Sequence, residues 1–228
     1  MKQKYDQFYH SPQEKEDLRD VSLSRWPKNR TEAIMAVEGE GESILDIGCG
    51  SGHLLYQFRH RFKKLIGLEY SQHRLAQAEL NLEGFCFMPI QGTAEDLSAL
   101  ASNSIDHIVS ADTIEHIPDV YKAAEEMYRV LKPGGILVIN TPNIAFLKKR
   151  VLLMGGRFPA TSQSNEGLGS DILFDGGHLH YFTFRSLRLL LEKSGFRMVK
   201  KGGYGRFGVM HKFWPSLLSG GAQWVATK

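Results

Sequence analysis

The sequence contains little cysteine and no long apolar segment. Its 228 residues include two cysteines, Cys49 and Cys86, which are too few for the disulfide framework of a small secreted domain. No run of about 18 apolar residues occurs, so a membrane span is not expected. The first twenty residues also lack the apolar stretch of a signal peptide. We therefore expect a protein of a reducing compartment, the cytoplasm.

A strong excess of charge of one sign is absent as well. The 28 Lys and Arg residues stand against 25 Asp and Glu residues, a net charge of +3, and they are spread evenly. Nucleic-acid and anionic membrane partners select for basic patches, so neither is expected. The composition, with 42% apolar residues, is that of one globular domain over 1–228. It leaves the oligomeric state open.

Short apolar runs alternate along the chain with segments of helical periodicity. Helices are predicted over Gly52–Phe62, Ser71–Leu82 and Val120–Leu131, and a capped helix in "TFRSLRLLLEKSGF" ends at Gly195. The runs predicted as strands are Ser43–Ile47, Lys64–Glu69, Phe85–Ile90, Ile105–Ala111, Gly135–Asn140, Phe196–Gly203 and Gln223–Thr227. Alternation of strand and helix predicts parallel pairing and an α/β, doubly wound, Rossmann-like sheet.

This order divides the domain into four parts. We expect N-terminal cap helices over 1–40 and a ligand-binding core over 41–142. The loop-rich stretch 143–182 is expected to form a lid, and 183–228 to supply the closing helix and strands.

The stretch "ILDIGCGSGHLL" lies where the first strand turns into the first helix, the place at which such sheets bind ligands. Its glycines, Gly48, Gly50 and Gly52, allow a sharp turn and a close approach of ligand to backbone. A dinucleotide fingerprint would need another glycine at His53 or Leu55, and no P-loop Gly-Lys-Ser/Thr follows. Asp46 would repel a pyrophosphate but suits a ligand with positive charge.

Glu69 ends the second predicted strand, in "KLIGLEYS". A carboxylate at that strand tip can accept hydrogen bonds from both hydroxyls of a ribose. The ligand is then expected to combine a ribose with a cation. S-adenosylmethionine has both features.

With these residues the chain resembles the class I S-adenosylmethionine-dependent methyltransferases. The segment "LDIGCGSG" is similar to that family's first motif, "GTAEDL" to its adenine-binding stretch, "IVSADTIEHIPD" to its fourth-strand motif and "LKPGGILVINTPN" to its fifth strand. The resemblance implies the class I architecture, with a mostly parallel sheet and an antiparallel closing strand. It also implies S-adenosyl-L-methionine as cofactor and S-adenosyl-L-homocysteine as product.

The same resemblance implies a set of cofactor-binding residues. Asp46 would lie near the amino group, Glu69 would hold the ribose, and Arg30 stands where some relatives bind the cofactor carboxylate. Thr93 stands where many relatives have Asp. The full expected set is Tyr9, Arg30, Asp46, Gly48, Cys49, Gly50, Gly52, Glu69, Tyr70, Thr93, Ala94, Glu95, Ser110, Ala111 and Asp112.

Aromatic residues near the N-terminus have two interpretations. Tyr5, Phe8 and Tyr9 could pack on the core as an N-terminal helix docks. They could equally cover the sulfonium, which an aromatic face attracts.

Three histidines are candidates for catalysis: His116, His178 and His180. Histidine suits proton removal near neutral pH. In "GGHLHYF" the two later histidines alternate, so an extended segment would turn both to one face. Their H-x-H spacing is metal-like, but no acid or cysteine cluster accompanies them in sequence, and no metal is expected.

The segment after the fifth strand bears on the acceptor. "NIAFLKKRVLLMGGRFPATSQ" predicts a basic amphipathic helix that would roof the site and exclude water. "GGHLHYFTFRSLRLLLEKSGF" resembles small-molecule methyltransferases of the ubiquinone-pathway and glycan-modifying kind. These similarities favour methyl transfer to a small molecule, at oxygen.

One alternative of another class stays open. "PNIAFLKKRVLLMGGRFPAT" is similar to a methyltransferase-like family associated with methionine biosynthesis. On that resemblance the chain would be a cofactor-binding regulatory protein without methyl transfer of its own.

Overall fold

A computed structural model describes residues 15–37, 39–161, 177–205 and 207–228. The N-terminal aromatics Tyr5, Phe8 and Tyr9 lie outside the described residues, as does the 162–176 part of the expected lid. Within the described ranges, no helix combines the length and the apolar character needed to cross a bilayer.

The core of the molecule is a seven-stranded sheet in the order β3-β2-β1-β4-β5-β7-β6. The strands are β1 (Gly41–Ile47), β2 (Phe62–Glu69), β3 (Phe87–Gln91), β4 (Ile105–Ala111), β5 (Leu131–Pro142), β6 (Arg197–Tyr204) and β7 (Gly221–Thr227). The pairs among β1 to β5 are parallel, and β7 runs antiparallel to both of its neighbours. The predicted α/β sheet with an antiparallel closing strand is confirmed.

Helices connect the strands and cover the sheet. They are α1 (Arg30–Met35), α2 (His53–Phe58), α3 (Gln72–Asn81), α4 (Val120–Val130), α5 (Leu147–Met154), α6 (Phe184–Lys193), α7 (Met210–Phe213) and α8 (Pro215–Leu218). A short 3-10 turn, Ile114–His116, follows β4.

One helix prediction needs correction. The helix predicted over Gly52–Phe62 ends at Phe58, because a turn follows and Phe62 already begins β2. In the described part of the expected cap, 15–37 and 39–40, the structure has helix α1 and irregular chain before it. The cap helices expected over 1–40 stay a prediction.

Apolar side chains pack on both faces of the sheet. In β1, Ile44 packs with Leu55 and Phe58 on one side. Its neighbour Leu45 belongs to the larger cluster on the other side, which includes Met127 of α4 and other side chains of α4 and α6. Burial on both faces explains why the strands read as continuous apolar runs.

Buried polar contacts fix α1 against the closing strands. The Gln223 side-chain amide donates to the Ala33 carbonyl at 2.8 Å, and the Asn140 amide donates to the Arg30 carbonyl at 3.3 Å. The start of α1 is thereby held beside β5, with Arg30 close to the carboxyl end of the parallel strands.

Candidate functional site

The glycine-rich turn between β1 and α2 has a left-handed backbone. Gly48, Gly50 and Gly52 have φ values of 77°, 55° and 81°, which residues with a Cβ rarely adopt. The amides of Gly48 and Cys49 both donate to the Leu68 carbonyl, at 2.8 and 3.0 Å. The turn is therefore held against the end of β2.

Two side chains lie so close to this turn that a Cβ on Gly48 or Gly50 would displace them. A Cβ on Gly48 would lie 2.4 Å from Thr113 Oγ1, and one on Gly50 would lie 2.2 Å from Arg74 Nη2. Neither Thr113 nor Arg74 was predicted from the sequence. No spacing signal links either one to the glycines, since they come from the loop after β4 and from α3.

Glu69 lies at the carboxyl end of β2 and is 5% exposed. Its two carboxylate oxygens accept from the backbone amides of Gly50 and Ser71, each at 2.9 Å. Each ionised oxygen has a second lone-pair site. Glu69 thus shapes the glycine turn and keeps one acceptor site on each oxygen for a ligand.

Asp46 is buried in β1, beside the same turn. It is 1% exposed, and its Oδ1 has no hydrogen-bond partner among the described residues. Burial, and then the nearby Glu69, raise the pKa of Asp46 to about 7, while Arg30 and Arg74 oppose the shift. A buried carboxylate oxygen without a partner is costly, and a positively charged ligand would relieve that cost.

Asp112, directly after β4, occupies a left-handed conformation with φ 49°. Arg30 Nη1 lies 3.0 Å from its Oδ2, and the Tyr204 hydroxyl donates to its Oδ1 at 3.2 Å. Two partners that are distant in the sequence, Arg30 and Tyr204, therefore fix Asp112 in its strained conformation. Tyr204 was not predicted from sequence.

The remaining expected cofactor residues differ in their surroundings. In β4, Ser110 is fully buried, its Oγ has no partner within the described ranges, and Ala111 follows it at the strand end. Cys49 packs with its sulfur against β2, and burial raises the pKa of its thiol well above the usual range. That cysteine therefore fills space rather than acting as a nucleophile.

The loop after β3 carries Thr93, Ala94 and Glu95. Ala94 is 3% exposed. Glu95 accepts from the Asp119 amide at 3.1 Å, so its carboxylate ties this loop to the start of α4. Tyr70, next to Glu69, is 38% exposed at the surface.

The three candidate histidines do not share one site. The rings of His116 and His178 lie 4.6 Å apart, centroid to centroid. His180 Nε2 instead donates to the Pro118 carbonyl at 3.2 Å, and its side chain lines a separate cavity of about 750 Å³ between α4 and α6. The expectation that His178 and His180 face one pocket is wrong.

The reason lies in the backbone around the two histidines. The amides of Leu179 and His180 both donate to the Glu115 carbonyl, at 2.8 and 3.1 Å. Two successive amides on one acceptor require a bend, so the alternation of an extended strand is lost. Burial, together with Asp112 nearby, raises the pKa of Glu115 to about 8.

The structure brings the main predicted residues to one edge of the sheet. β1 lies between β2 and β4, with Ile47 opposite Leu68 and Ser110. Asp46, the glycine turn, Glu69 and Asp112 therefore meet where the parallel strands end. This arrangement defines a doubly wound α/β protein, a class that binds its ligands at this topological switch point of the sheet.

Comparison with known proteins agrees with that class. Residues 45–139 match the family described as "Methyltransferase domain". A ubiquinone biosynthesis O-methyltransferase of Pseudomonas savastanoi is 33% identical over 105 residues, 45% of each chain. A probable S-adenosylmethionine-dependent methyltransferase of Mycolicibacterium smegmatis is 30% identical over 158 residues, 69% of this chain and 53% of the relative. The chain spans about half the length of these curated relatives.

A solved structure extends the likeness over the fold. The S-adenosylmethionine-dependent methyltransferase of Mesorhizobium loti superposes with a TM-score of 0.63 at 20% identity, over 86% of this chain and 94% of that one. Residues 45–139 thus belong to that methyltransferase domain family, and the fold around them is the class I S-adenosylmethionine-dependent methyltransferase fold.

Glu69→Gln is expected to weaken binding of S-adenosylhomocysteine by roughly ten- to a hundredfold. The variant loses the charge, and its amide group must face either the Gly50 or the Ser71 amide, donor against donor. We expect unfolding to become easier by about 1–3 kcal/mol. Calorimetric titration and urea unfolding measure the two effects.

Glu126→Gln is the matched control. Glu126 is also buried and accepts a backbone amide, that of Leu97, at 2.9 Å, but it lies in α4 away from the glycine turn. The control should lose stability and keep its affinity. Equal affinities for Glu69→Gln and the wild type would mean that another residue holds the ribose.

Proposed function

We propose that this chain binds S-adenosylmethionine and transfers its methyl group to a small-molecule acceptor, at oxygen. One observation carries the proposal: a buried, unpartnered Asp46 oxygen and a backbone-anchored Glu69 flank a left-handed glycine turn. The first carboxylate suits a cation and the second suits a pair of hydroxyls. The curated relatives, whose names include S-adenosylmethionine-dependent and O-methyltransferase activities, support it.

The residues at this edge fit that cofactor. The spare lone pairs of Glu69 would accept the ribose hydroxyls, and Asp46 would face the positively charged methionine end. The backbone of Gly48–Gly52 would lie against the ligand where a Cβ would intrude. The bound cofactor supplies an electrophilic methyl group on sulfur.

The protein's own task is then to place the acceptor. Alignment of two bound groups can lower a barrier by roughly 7–11 kcal/mol, and exclusion of water protects the reaction. Of the three candidate histidines, we propose His116 and His178 for handling the proton of an acceptor hydroxyl. They lie together beside Glu115 and near the end of β4, whereas His180 is directed into another cavity.

The segment after β5 supports an apolar or acidic acceptor. Helix α5 exposes Val151, Leu153 and Met154 at 59%, 64% and 87%, next to the basic residues Lys148 and Arg150. We propose that this mixed surface forms part of the acceptor lid.

The test is incubation of the purified chain with methyl-labelled S-adenosylmethionine and a fractionated small-molecule extract. We expect label in a small molecule as a methyl ether, from which hydriodic acid releases it as methyl iodide, with one S-adenosylhomocysteine formed per methyl transferred. Stoichiometric cofactor binding without transfer to any fraction would contradict the enzyme and favour the regulatory alternative.

A further inference from the structure

Glu115, His116 and His178 form a compact cluster. Each offers one ligand atom, and these atoms all lie within 4.8 Å of one another. Glu115 and His116 come from the 3-10 turn after β4, while His178 arrives from a segment that is anchored by the Glu115 carbonyl. The cluster is therefore held by the fold and does not depend on long surface side chains.

Each histidine has a polar partner beside its Nδ1, on the outer side of the cluster. His116 Nδ1 lies 3.2 Å from the Gly177 carbonyl, to which only a protonated nitrogen can donate. His178 Nδ1 lies 2.7 Å from Thr161 Oγ1. A backbone carbonyl or hydroxyl beside one ring nitrogen is the usual outer partner of a histidine that binds a metal through the other nitrogen.

Glu115 supplies the third group. Its side chain is 1% exposed, its Oε2 accepts from Thr141 Oγ1 at 2.9 Å, and its Oε1 has no hydrogen-bond partner in the described part of the chain. Oε1 lies 3.9 Å from His178 Nε2, which is too long for a hydrogen bond. Glu115 Oε1 and His178 Nε2 are thus separated by a gap inside the buried part of the cluster.

That gap matches a metal ion. Ligand atoms at about 2.1 Å from a tetrahedral Zn²⁺ are roughly 3.4 Å apart, so small side-chain movements would close the cluster. Two imidazoles and one carboxylate are a donor set for divalent first-row transition metals, whereas Mg²⁺ prefers oxygen ligands. With three protein ligands, such a site keeps a position open for another molecule.

We propose that Glu115, His116 and His178 bind a divalent first-row transition cation with an open coordination position. The cluster replaces the H-x-H pairing of His178 with His180 that was considered from sequence. His178 pairs instead with His116, and the acid is Glu115, the residue before His116. The role of the open position rests on the proposed function. There the cation would hold an acceptor hydroxyl and lower its pKa. With the cation bound, His116 and His178 would act as its ligands in place of the proton-handling role proposed above, and the hydroxyl proton would leave to solvent.

The experiment is a Zn²⁺ titration of tag-free, chelator-treated protein in competition with a chromophoric chelator, with no cofactor present. Absorption of the Co²⁺-substituted protein provides a second readout. We expect one equivalent of Zn²⁺ with a dissociation constant below about 1 μM. His116→Ala, His178→Ala and Glu115→Gln should each weaken binding by at least tenfold.

His180→Ala is the matched control, because it removes a neighbouring histidine that bonds to Pro118 instead. It should leave Zn²⁺ affinity unchanged. If an alanine variant does not fold, as judged by thermal unfolding, His116→Gln or His178→Gln takes its place and should show the same loss. Absence of a Zn²⁺ site in the wild type, or equal weakening by His180→Ala and His178→Ala, would overturn the proposal. Because the titration contains no S-adenosylmethionine, its outcome is independent of the proposed methyl transfer.

Discussion

Replacing Asp46 by Asn is expected to stabilise the unliganded protein at pH 8 while weakening S-adenosylmethionine binding by at least tenfold. Asp46 is buried without a partner for Oδ1, so its charge is costly to the empty fold. The same charge is what would attract the cofactor's cationic end, and a charged hydrogen bond contributes about 1.5–3 kcal/mol. We expect a gain of about 1–3 kcal/mol in unfolding free energy, because one unit of pKa shift corresponds to about 1.4 kcal/mol and the buried amide offsets part of it. Urea unfolding and calorimetric titration measure the two effects.

The same substitution should change the pH dependence of stability. The pKa of Asp46 is raised in the folded state to about 7, against 3.8 for the free group. Below pH 4 both states are protonated and the penalty is absent. Between about pH 4 and pH 7 the unfolded state ionises first, so the stability of the wild type falls as pH rises. In Asp46→Asn this contribution should disappear.

Asp106→Asn is a control in which the expected change in unfolding free energy has the opposite sign. Burial alone would raise the pKa of this carboxyl group, but donation from Lys132 and Ser43 outweighs burial and holds the pKa below its usual value. Its stabilising contribution is therefore present above the unfolded pKa and is lost as pH falls, and the substitution should destabilise the protein at pH 8. If Asp46→Asn also destabilises the protein at pH 8, burial of the Asp46 charge does not control the stability of the empty fold.

Gly50→Val is expected to reduce cofactor affinity by more than a thousandfold. Its φ of 55° is strained for a β-branched residue, and the new Cβ would lie 2.2 Å from Arg74 Nη2. The guanidinium is the end of a flexible side chain and can move, so the fold should survive with a loss of about 1–3 kcal/mol. The methyl groups would then occupy the surface on which the ligand is proposed to lie. Thermal unfolding and calorimetric titration separate the two losses.

Gly84→Val is the matched control. Gly84 also has a positive φ, 91°, and a Cβ there would meet nothing within 4 Å. The control should show a comparable loss of stability from backbone strain alone and unchanged affinity. Cofactor binding by Gly50→Val as tight as that of Gly84→Val would remove the glycine turn from the binding site.

Much of the fold could be predicted because its strands are buried on both faces. The runs around Leu45, Ile66 and Val109 are apolar without alternation, which favours central parallel strands. The end of the first core helix was misplaced because Arg59, His60 and Arg61 continue a helical composition. Neither glycine nor proline marks that turn.

Some residues of the candidate site could also be predicted from the sequence, and others could not. Asp46 and Glu69 could be predicted because each lies at a strand tip, so local sequence determines its position. Tyr204 bonds to Asp112 across 92 positions of the chain, and His178 meets His116 through a long connection. Such partners are chosen by tertiary packing, and one sequence has no spacing that reveals them.

Isothermal titration calorimetry of the wild-type chain with S-adenosylhomocysteine, and then with NAD⁺, tests the proposed cofactor site most directly. We expect one molecule of S-adenosylhomocysteine bound per chain, with the affinity lowered in Asp46→Asn and Gly50→Val and retained in Gly84→Val, and no heat with NAD⁺. Heat with NAD⁺ and none with S-adenosylhomocysteine or S-adenosylmethionine, from protein shown to be folded, would contradict the assignment.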